Sequence, residues 1–266
     1  MTPGRRPGGL LWIGETISGA GSSMAVVGVP LLAVTVLRAS TFAVSAVCLL
    51  RIRTPAPPGA RGGGAGAWPG ITFVARDPYL RPLTIYGAVA NLAYTGNLAL
   101  VVVFLIRVAG LGSAEASLLM AAGGVGSLLG ALFVPRLTRS FGTARALVLT
   151  SLGNGLAGLL IPLTGRGPRV ACYVIGSALI AGGIAAGNVI TGSFRQQYCP
   201  PPLLGRVTAS MRFLAYGMIP LGALLAGGLG TILGVRAALW IVQGIFAASG
   251  LFLLTPRIRA ARDLTT

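Results

Sequence analysis

The sequence predicts an all-α integral membrane protein. Hydrophobic residues make up 54% of the 266 residues and charged residues only 9%, whereas a soluble domain carries about 25% charged residues. The mean hydropathy is +0.83, and the chain contains long apolar stretches of the roughly 20 residues that a helix needs to cross a bilayer. Most of the surface is therefore expected to face lipid, which makes the bilayer the first expected partner.

Six stretches without an internal charge are predicted to span the membrane. They are residues 83–106, 116–135, 146–165, 170–194, 213–235 and 237–256. Only Arg236 separates the last two, so the turn between them is expected between Gly227 and Arg236. Small-residue spacing at Gly126-x-x-x-Gly130 and Gly183-x-x-x-Gly187 predicts close approach between helices.

The arginine content of the segments around these spans predicts their orientation. All 21 basic residues are arginine, and arginine-rich segments stay on the cytoplasmic side of a membrane. Rich and poor segments alternate from residue 51 onward, so the rich ones and the C-terminus are expected in the cytoplasm of a multi-pass protein of the plasma (inner) membrane. In chain order the segments contain Arg51, Arg53, Arg61, Arg76 and Arg81; Arg107; Arg136, Arg139 and Arg145; Arg166 and Arg169; Arg195, Arg206 and Arg212; Arg236; and Arg257, Arg259 and Arg262.

The front of the chain, residues 1–50, is predicted to supply one or two membrane helices. The N-terminus, with Arg5 and Arg6, is also expected in the cytoplasm, so an even number of crossings is needed. A second helix over residues 40–50 would rise only about 16 Å, against a bilayer core of about 30 Å. A hairpin around Pro30 would instead place Arg38 near the membrane centre, at a cost of at least about 2.5 kcal/mol. Both alternatives are strained, which indicates that something is missing between Val34 and Thr41.

The remaining boundaries follow from composition. Residues 51–82 are predicted to be a cytoplasmic linker and a lead-in to the first clear span, with a low-complexity stretch over residues 54–70. Helical order is expected to resume at Asp77-Pro78, an N-cap followed by proline at the first helical position. Residues 83–256 form the six-helix bundle, and residues 257–266 are a cytoplasmic tail.

Composition also argues against several functions. The net charge of +17 is distributed between apolar spans rather than on a soluble basic face, so nucleic acid is not an expected partner. The chain has no histidine, and its three cysteines lack the spacing of metal sites, so no metal and no cofactor is expected. The clear spans contain no paired carboxylates, so an intramembrane enzyme would have little chemistry to use.

Several motifs resemble those of one transporter family. Residues 201–224 (PPLLGRVTASMRFLAYGMIPLGAL) resemble a cytoplasmic loop and the eleventh helix of major facilitator superfamily exporters, nearest to the macrolide-efflux and enterobactin-exporter branch. Residues 130–145 are similar to the motif between helices eight and nine. Residues 10–32 resemble the first helix, and residues 41–53 the end of the sixth. The resemblance implies a C-terminal six-helix bundle with a truncated N-terminal portion that lacks helices two to five.

Polar residues in two spans are the candidate substrate-binding residues. Asn91, Tyr94 and Asn97 recur every three residues, so they share one side of a helix that must face protein or a cavity. The resemblance places this helix along a central cavity, whereas interhelical hydrogen bonding is the alternative. Asn188 and Thr191 form a weaker pair in a second span.

Glu15 is the candidate proton-coupling residue, because it is the one acidic residue inside an apolar stretch. Ser18 and Ser22 share its helix face and join the candidate substrate-binding residues. The alternative is that Glu15 reaches the cytoplasmic interface or pairs with Arg5 or Arg6.

Five loop arginines complete the candidate site. The resemblance suggests that they are gating residues, and the alternative is that they only set the topology. They are Arg136, Arg139, Arg145, Arg206 and Arg212.

The function predicted from these observations is membrane transport, with proton-coupled efflux of a drug-like or other small amphipathic molecule. The small-molecule substrate and protons are then the expected partners. Two alternatives stay open. The chain is a non-transporting truncated remnant, or it is a half-transporter that assembles with a second copy or another transporter half.

Overall fold

The structure, a computed structural model, describes residues 68–256 together with Ile258 and Asp263. In this part of the chain the ordered elements are all helical, and six helices are long and apolar enough to cross a membrane. The predicted all-α membrane class is therefore confirmed. The expectations for residues 1–50, including Glu15, Ser18 and Ser22, lie outside the described residues.

A short helix precedes the six long ones. Helix α1 is Trp68–Arg76, and the spans begin with α2, Leu80–Val103, which a π-helical turn at Phe104–Val108 extends. Short 3-10 turns at Ile161–Leu163, Gly167–Arg169 and Gly250–Leu253 extend α4, α5 and α7. The remaining helices are α3 (Ser113–Phe141), α4 (Thr143–Gly158), α5 (Val170–Tyr198), α6 (Pro201–Leu233) and α7 (Val235–Ser249).

Helical order begins earlier than the sequence suggested, because α1 starts at Trp68 inside the stretch read as linker. The Asp77 carboxylate nevertheless caps as expected. Its Oδ1 accepts hydrogen bonds from the backbone N–H groups of Tyr79 and Leu80 at 2.9 and 2.8 Å. Asp77 therefore lies between α1 and α2 and fixes the start of the first span.

Helix α6 also begins earlier than expected, at Pro201 rather than near Phe213. Hydropathy marks only the part of a helix that crosses lipid, whereas proline fits the first helical turn and lets the helix begin outside it. Arg206 and Arg212, expected in a loop, consequently lie on α6. The other three candidate loop arginines also lie on helices, since Arg136 and Arg139 end α3 and Arg145 begins α4.

Two of the connections between spans consist of a single glycine. Gly142 joins α3 to α4 with φ 82° and ψ 164°, and Gly234 joins α6 to α7 with φ 84° and ψ 156°. This backbone region is essentially restricted to glycine. The α6–α7 turn falls within the interval predicted for it.

The helices divide into two triplets with the same packing pattern. The most extensive contacts run between α3 and α5 and between α2 and α6, followed by α4 with α5 and α2 with α7. If α2, α3 and α4 are matched with α5, α6 and α7 in that order, the α3–α5 pair corresponds to α6–α2, and the α4–α5 pair to α7–α2. The two single-glycine turns also occupy equivalent positions in the triplets.

Glycines allow the two principal helix pairs to pack closely. A side chain at Gly126 or Gly130 of α3 would overlap the backbone of Ala178 or Gly182 in α5. A side chain at Gly222 of α6 would overlap the backbone of α2. In the second small-residue pattern, Gly183-x-x-x-Gly187, Gly183 makes room for the Asn154 side chain of α4 rather than for a helix backbone.

The loops gather at two ends of the bundle in the grouping that the arginine pattern predicts. At one end Arg166 donates two hydrogen bonds to the Gly110 carbonyl, at 3.1 and 3.0 Å. Arg236 of the α6–α7 turn donates to the Thr164 carbonyl at the same end, at 3.2 Å. At the other, the arginine-rich end, lie Arg76, Arg81, Arg136, Arg139, Arg145, Arg195, Arg206 and Arg212.

We expect the arginine-rich end to face the cytoplasm. In a variant with serine in place of the native cysteines, Ser113→Cys and Ser140→Cys place exposed thiols at opposite ends of α3. A membrane-impermeant maleimide added to intact cells should label Cys at position 113, and label position 140 only after permeabilisation. The reverse pattern would show that the bundle is inverted.

Candidate functional site

A polar groove runs between α2 and α5, two helices that are not among the closely packed pairs. It consists of two adjoining clefts of about 480 and 470 Å³. We name them the arginine-end cleft, flanked by α6, and the opposite-end cleft, flanked by α3. Both volumes lie within the range of small-molecule sites in proteins.

The groove brings together the four candidate residues on these helices. Asn91 lines the arginine-end cleft, Asn97 the opposite-end cleft, and Tyr94 and Asn188 line both. Thr191, the weaker partner of Asn188, also faces the arginine-end cleft. Tyr94 and Asn188 lie near the middle of α2 and α5, so the junction of the clefts is at mid-membrane depth.

Asn188 and Tyr94 present polar groups at this junction. The Asn188 side chain is exposed, and neither its amide nor the Tyr94 hydroxyl hydrogen-bonds to another described residue. A polar side chain is costly against lipid hydrocarbon. The groove is therefore a surface for a polar ligand, for water or for another protein segment.

Asn97 has a structural partner instead. It is buried, and its Oδ1 accepts a hydrogen bond of 2.8 Å from the Nε2 of Gln243 in α7. The interhelical alternative thus describes Asn97 better than a ligand contact does. Gln243 was missed by the sequence reasoning, although an amide inside an otherwise apolar span is a signal that could have found it. Asn91 donates to the Gly87 carbonyl of its own helix at 2.8 Å.

Two arginines line the arginine-end cleft. Arg195 comes from α5 and Arg212 from α6, and their charges are close enough to repel each other. Arg212 was a candidate gating residue, whereas Arg195 was counted only for topology. No signal in the sequence places these two side chains in one cleft, since their proximity depends on how α5 and α6 pack.

The other candidate arginines line neither cleft. Arg136 borders a separate apolar hollow lined by α3, α4 and α5 and lies 5.8 Å from the centre of the Phe133 ring. Arg139 and Arg145 flank the Gly142 turn, and Arg206 lies nearer the start of α6. Within the described residues no three His, Cys, Asp or Glu side chains come together as metal ligands would.

Comparisons of the chain with family models, with curated proteins and with solved structures find no match.

Proposed function

We propose that the described bundle is one half of a major facilitator type transporter, and that the chain exports a small amphipathic molecule along the groove between α2 and α5. The observation that carries this proposal is the pair Tyr94 and Asn188. Both side chains line the junction of the two clefts, near the middle of two apolar spans, and one cleft extends from there toward each end.

The symmetry of the packing supports the same proposal. Three spans followed by three spans with the same pairing pattern is the arrangement expected of an inverted repeat, because an odd number of crossings reverses the second triplet in the membrane. In transporters with inverted repeats the substrate binds near the bilayer midplane at the interface between repeats. Here α2 and α5, the first helices of the two triplets, border the groove.

A half-transporter that assembles with another chain is the second candidate. Helices α3 and α6 flank the groove, and only 11% of the apolar core of each is buried, against 50% for α4. The two helices that flank the groove are thus the least covered of the six spans, and we take the groove face as the one that a partner would cover. A second transporter half on this face would enclose the groove and complete a substrate path.

An efflux assay tests the proposed function. The chain would be expressed in cells that lack other exporters, which are then loaded with rhodamine 6G or with 8-anilinonaphthalene-1-sulfonate. We expect extrusion of at least one dye, and a rate about tenfold lower in Asn188→Ala, because a polar contact to the ligand would be lost. Gln196→Ala, an exposed amide on the same helix outside the clefts, should leave the rate unchanged.

Two results would oppose the proposal in different ways. If the chain alone extrudes neither dye, it is a non-transporting remnant or an incomplete half. Extrusion that returns when another transporter half is co-expressed would identify the chain as a half-transporter. Equal rates in the wild-type chain, Asn188→Ala and Gln196→Ala would remove the groove from the transport path.

Proton coupling in this proposal is assigned to Glu15. It is the acidic residue inside an apolar stretch of the sequence, whereas the three other acidic residues lie at or beyond the ends of the spans. Glu15→Gln should therefore weaken the response of efflux to a pH gradient far more than it lowers protein abundance. Efflux that keeps its pH response in Glu15→Gln would exclude this role.

A further inference from the structure

We propose that the arginine-end cleft binds the anionic group of an amphipathic molecule, a carboxylate or a phosphate, between Arg195 and Arg212. The cleft belongs to the groove of the proposed transport function, so the anion is also the substrate class which that function would take. The binding itself does not require that transport occurs.

The two guanidinium groups are the only ionised side chains among the described residues that line either cleft. They approach from different helices and repel each other. Two like charges brought together at the mouth of a cleft are stabilised when an anion lies between them. Guanidinium groups also match the planar, two-oxygen geometry of carboxylates and phosphates.

Acidic residues of the described part of the chain do not neutralise this pair. The Asp77 carboxylate accepts two backbone hydrogen bonds and one from Tyr198. Glu115 accepts the Gly112 backbone N–H, and Asp263 accepts the Thr143 backbone N–H, 120 residues away in sequence. Each described carboxylate is thus engaged as a cap, and neither Arg195 nor Arg212 has a carboxylate partner among these residues.

The rest of the cleft suits an amphipathic rather than an inorganic anion. From the arginines it continues past Tyr216 and Met211 to the junction at Tyr94, with apolar side chains such as Ile184 and Phe246 along the way. Its volume of about 480 Å³ exceeds the space that a phosphate ion needs. An anionic head at the arginines would place an apolar tail along the groove toward the membrane centre.

Binding of radiolabelled dodecanoate to the purified chain in phosphatidylcholine nanodiscs tests this assignment. We expect saturable binding that dodecyl phosphate displaces and dodecyltrimethylammonium does not. Arg195→Gln/Arg212→Gln should weaken binding at least about tenfold, because charge-assisted hydrogen bonds to both groups are lost. Arg136→Gln/Arg139→Gln removes the same charge at the same end outside the clefts and should change it less than about twofold.

Several outcomes would overturn the assignment. In the wild-type chain, the assignment fails if dodecyltrimethylammonium displaces dodecanoate as effectively as dodecyl phosphate does. Equal losses in the two double variants would show a general effect of surface charge. Should the glutamine variant not fold, Arg195→Lys/Arg212→Lys keeps both charges and must retain binding within a few fold.

A second arm identifies the source of the anion. Nanodiscs that contain phosphatidylglycerol compete with dodecanoate if the cleft takes a lipid headgroup, and native mass spectrometry would then count one retained phosphatidylglycerol that the glutamine variant lacks. Dodecanoate binding that phosphatidylglycerol does not alter indicates a free amphipathic anion. Anion binding without efflux would support the anion site and contradict the transport proposal. Efflux of rhodamine 6G without anion binding would support transport and contradict the anion site.

Discussion

Gly130→Ala is expected to destabilise the protein by about 2–3 kcal/mol, within the range of overpacking changes. The added methyl group would overlap the backbone of Gly182 in α5. A backbone cannot move aside as a flexible side chain can, so α3 would have to shift away from α5. Since only 11% of the apolar core of α3 is buried, the contact with α5 is the main attachment of this helix. Unfolding of the purified protein by sodium dodecyl sulfate, followed by circular dichroism, measures the change.

Gly124→Ala on the same helix is the matched control. A methyl group there meets no atom within 4 Å, and alanine favours a helix interior by about 0.5–1 kcal/mol relative to glycine. The two substitutions should therefore shift the stability in opposite directions. Equal effects at Gly130 and Gly124 would mean that the close approach of α3 and α5 does not stabilise the bundle.

Asp77→Ala is expected to cost about 2–3 kcal/mol, the sum of a lost helix cap and a lost hydrogen bond to a charged group. One carboxylate oxygen caps the start of α2, and the other accepts the Tyr198 hydroxyl of α5 at 2.8 Å. Tyr198 also stacks on Phe194, with ring centres 4.8 Å apart, and Tyr79 packs edge-on against both. The same unfolding measurement applies.

Asp77→Asn separates the cap from the charge. An amide oxygen can still accept the two backbone hydrogen bonds, and the amide N–H can donate to the Tyr198 hydroxyl in place of the lost acceptor, so the loss should stay below about 1 kcal/mol. The Asp77 charge can also be followed at Cys199. The pKa of the Cys199 thiol is raised mainly by burial and, to a smaller extent, by the Asp77 carboxylate. Without the carboxylate that pKa falls, more thiolate is present at neutral pH, and Cys199 should react faster with a maleimide. If Asp77→Asn destabilises the protein as much as Asp77→Ala does and the reaction rate of Cys199 stays the same, this role of Asp77 is wrong.

Much of the helical framework could be predicted because lipid imposes a simple requirement. Each span must satisfy its own backbone hydrogen bonds, so an uncharged apolar stretch of sufficient length predicts a helix. The predicted spans therefore correspond to α2 to α7, and Gly126 and Gly130 mark a close contact. The helix ends were less predictable, since α6 continues for twelve residues outside the stretch that hydropathy identified.

The groove was only partly predictable. Periodicity places Asn91, Tyr94 and Asn97 on one side of α2, but it does not distinguish a ligand contact from the hydrogen bond that Asn97 makes with Gln243. The proximity of Arg195 and Arg212 depends on how α5 and α6 pack and has no local pattern in the sequence. Which helices pack together is a property of the whole bundle, and single-helix periodicity does not contain it.

The single-glycine turns at Gly142 and Gly234 limit how the bundle can move. With one residue between them, α3 and α4 have no slack to slide along each other, and neither do α6 and α7. A rearrangement that opens or closes the groove must then carry each pair as one rigid arm, pivoting on loops of several residues such as 109–112. Lengthening either turn would uncouple the two helices that it joins.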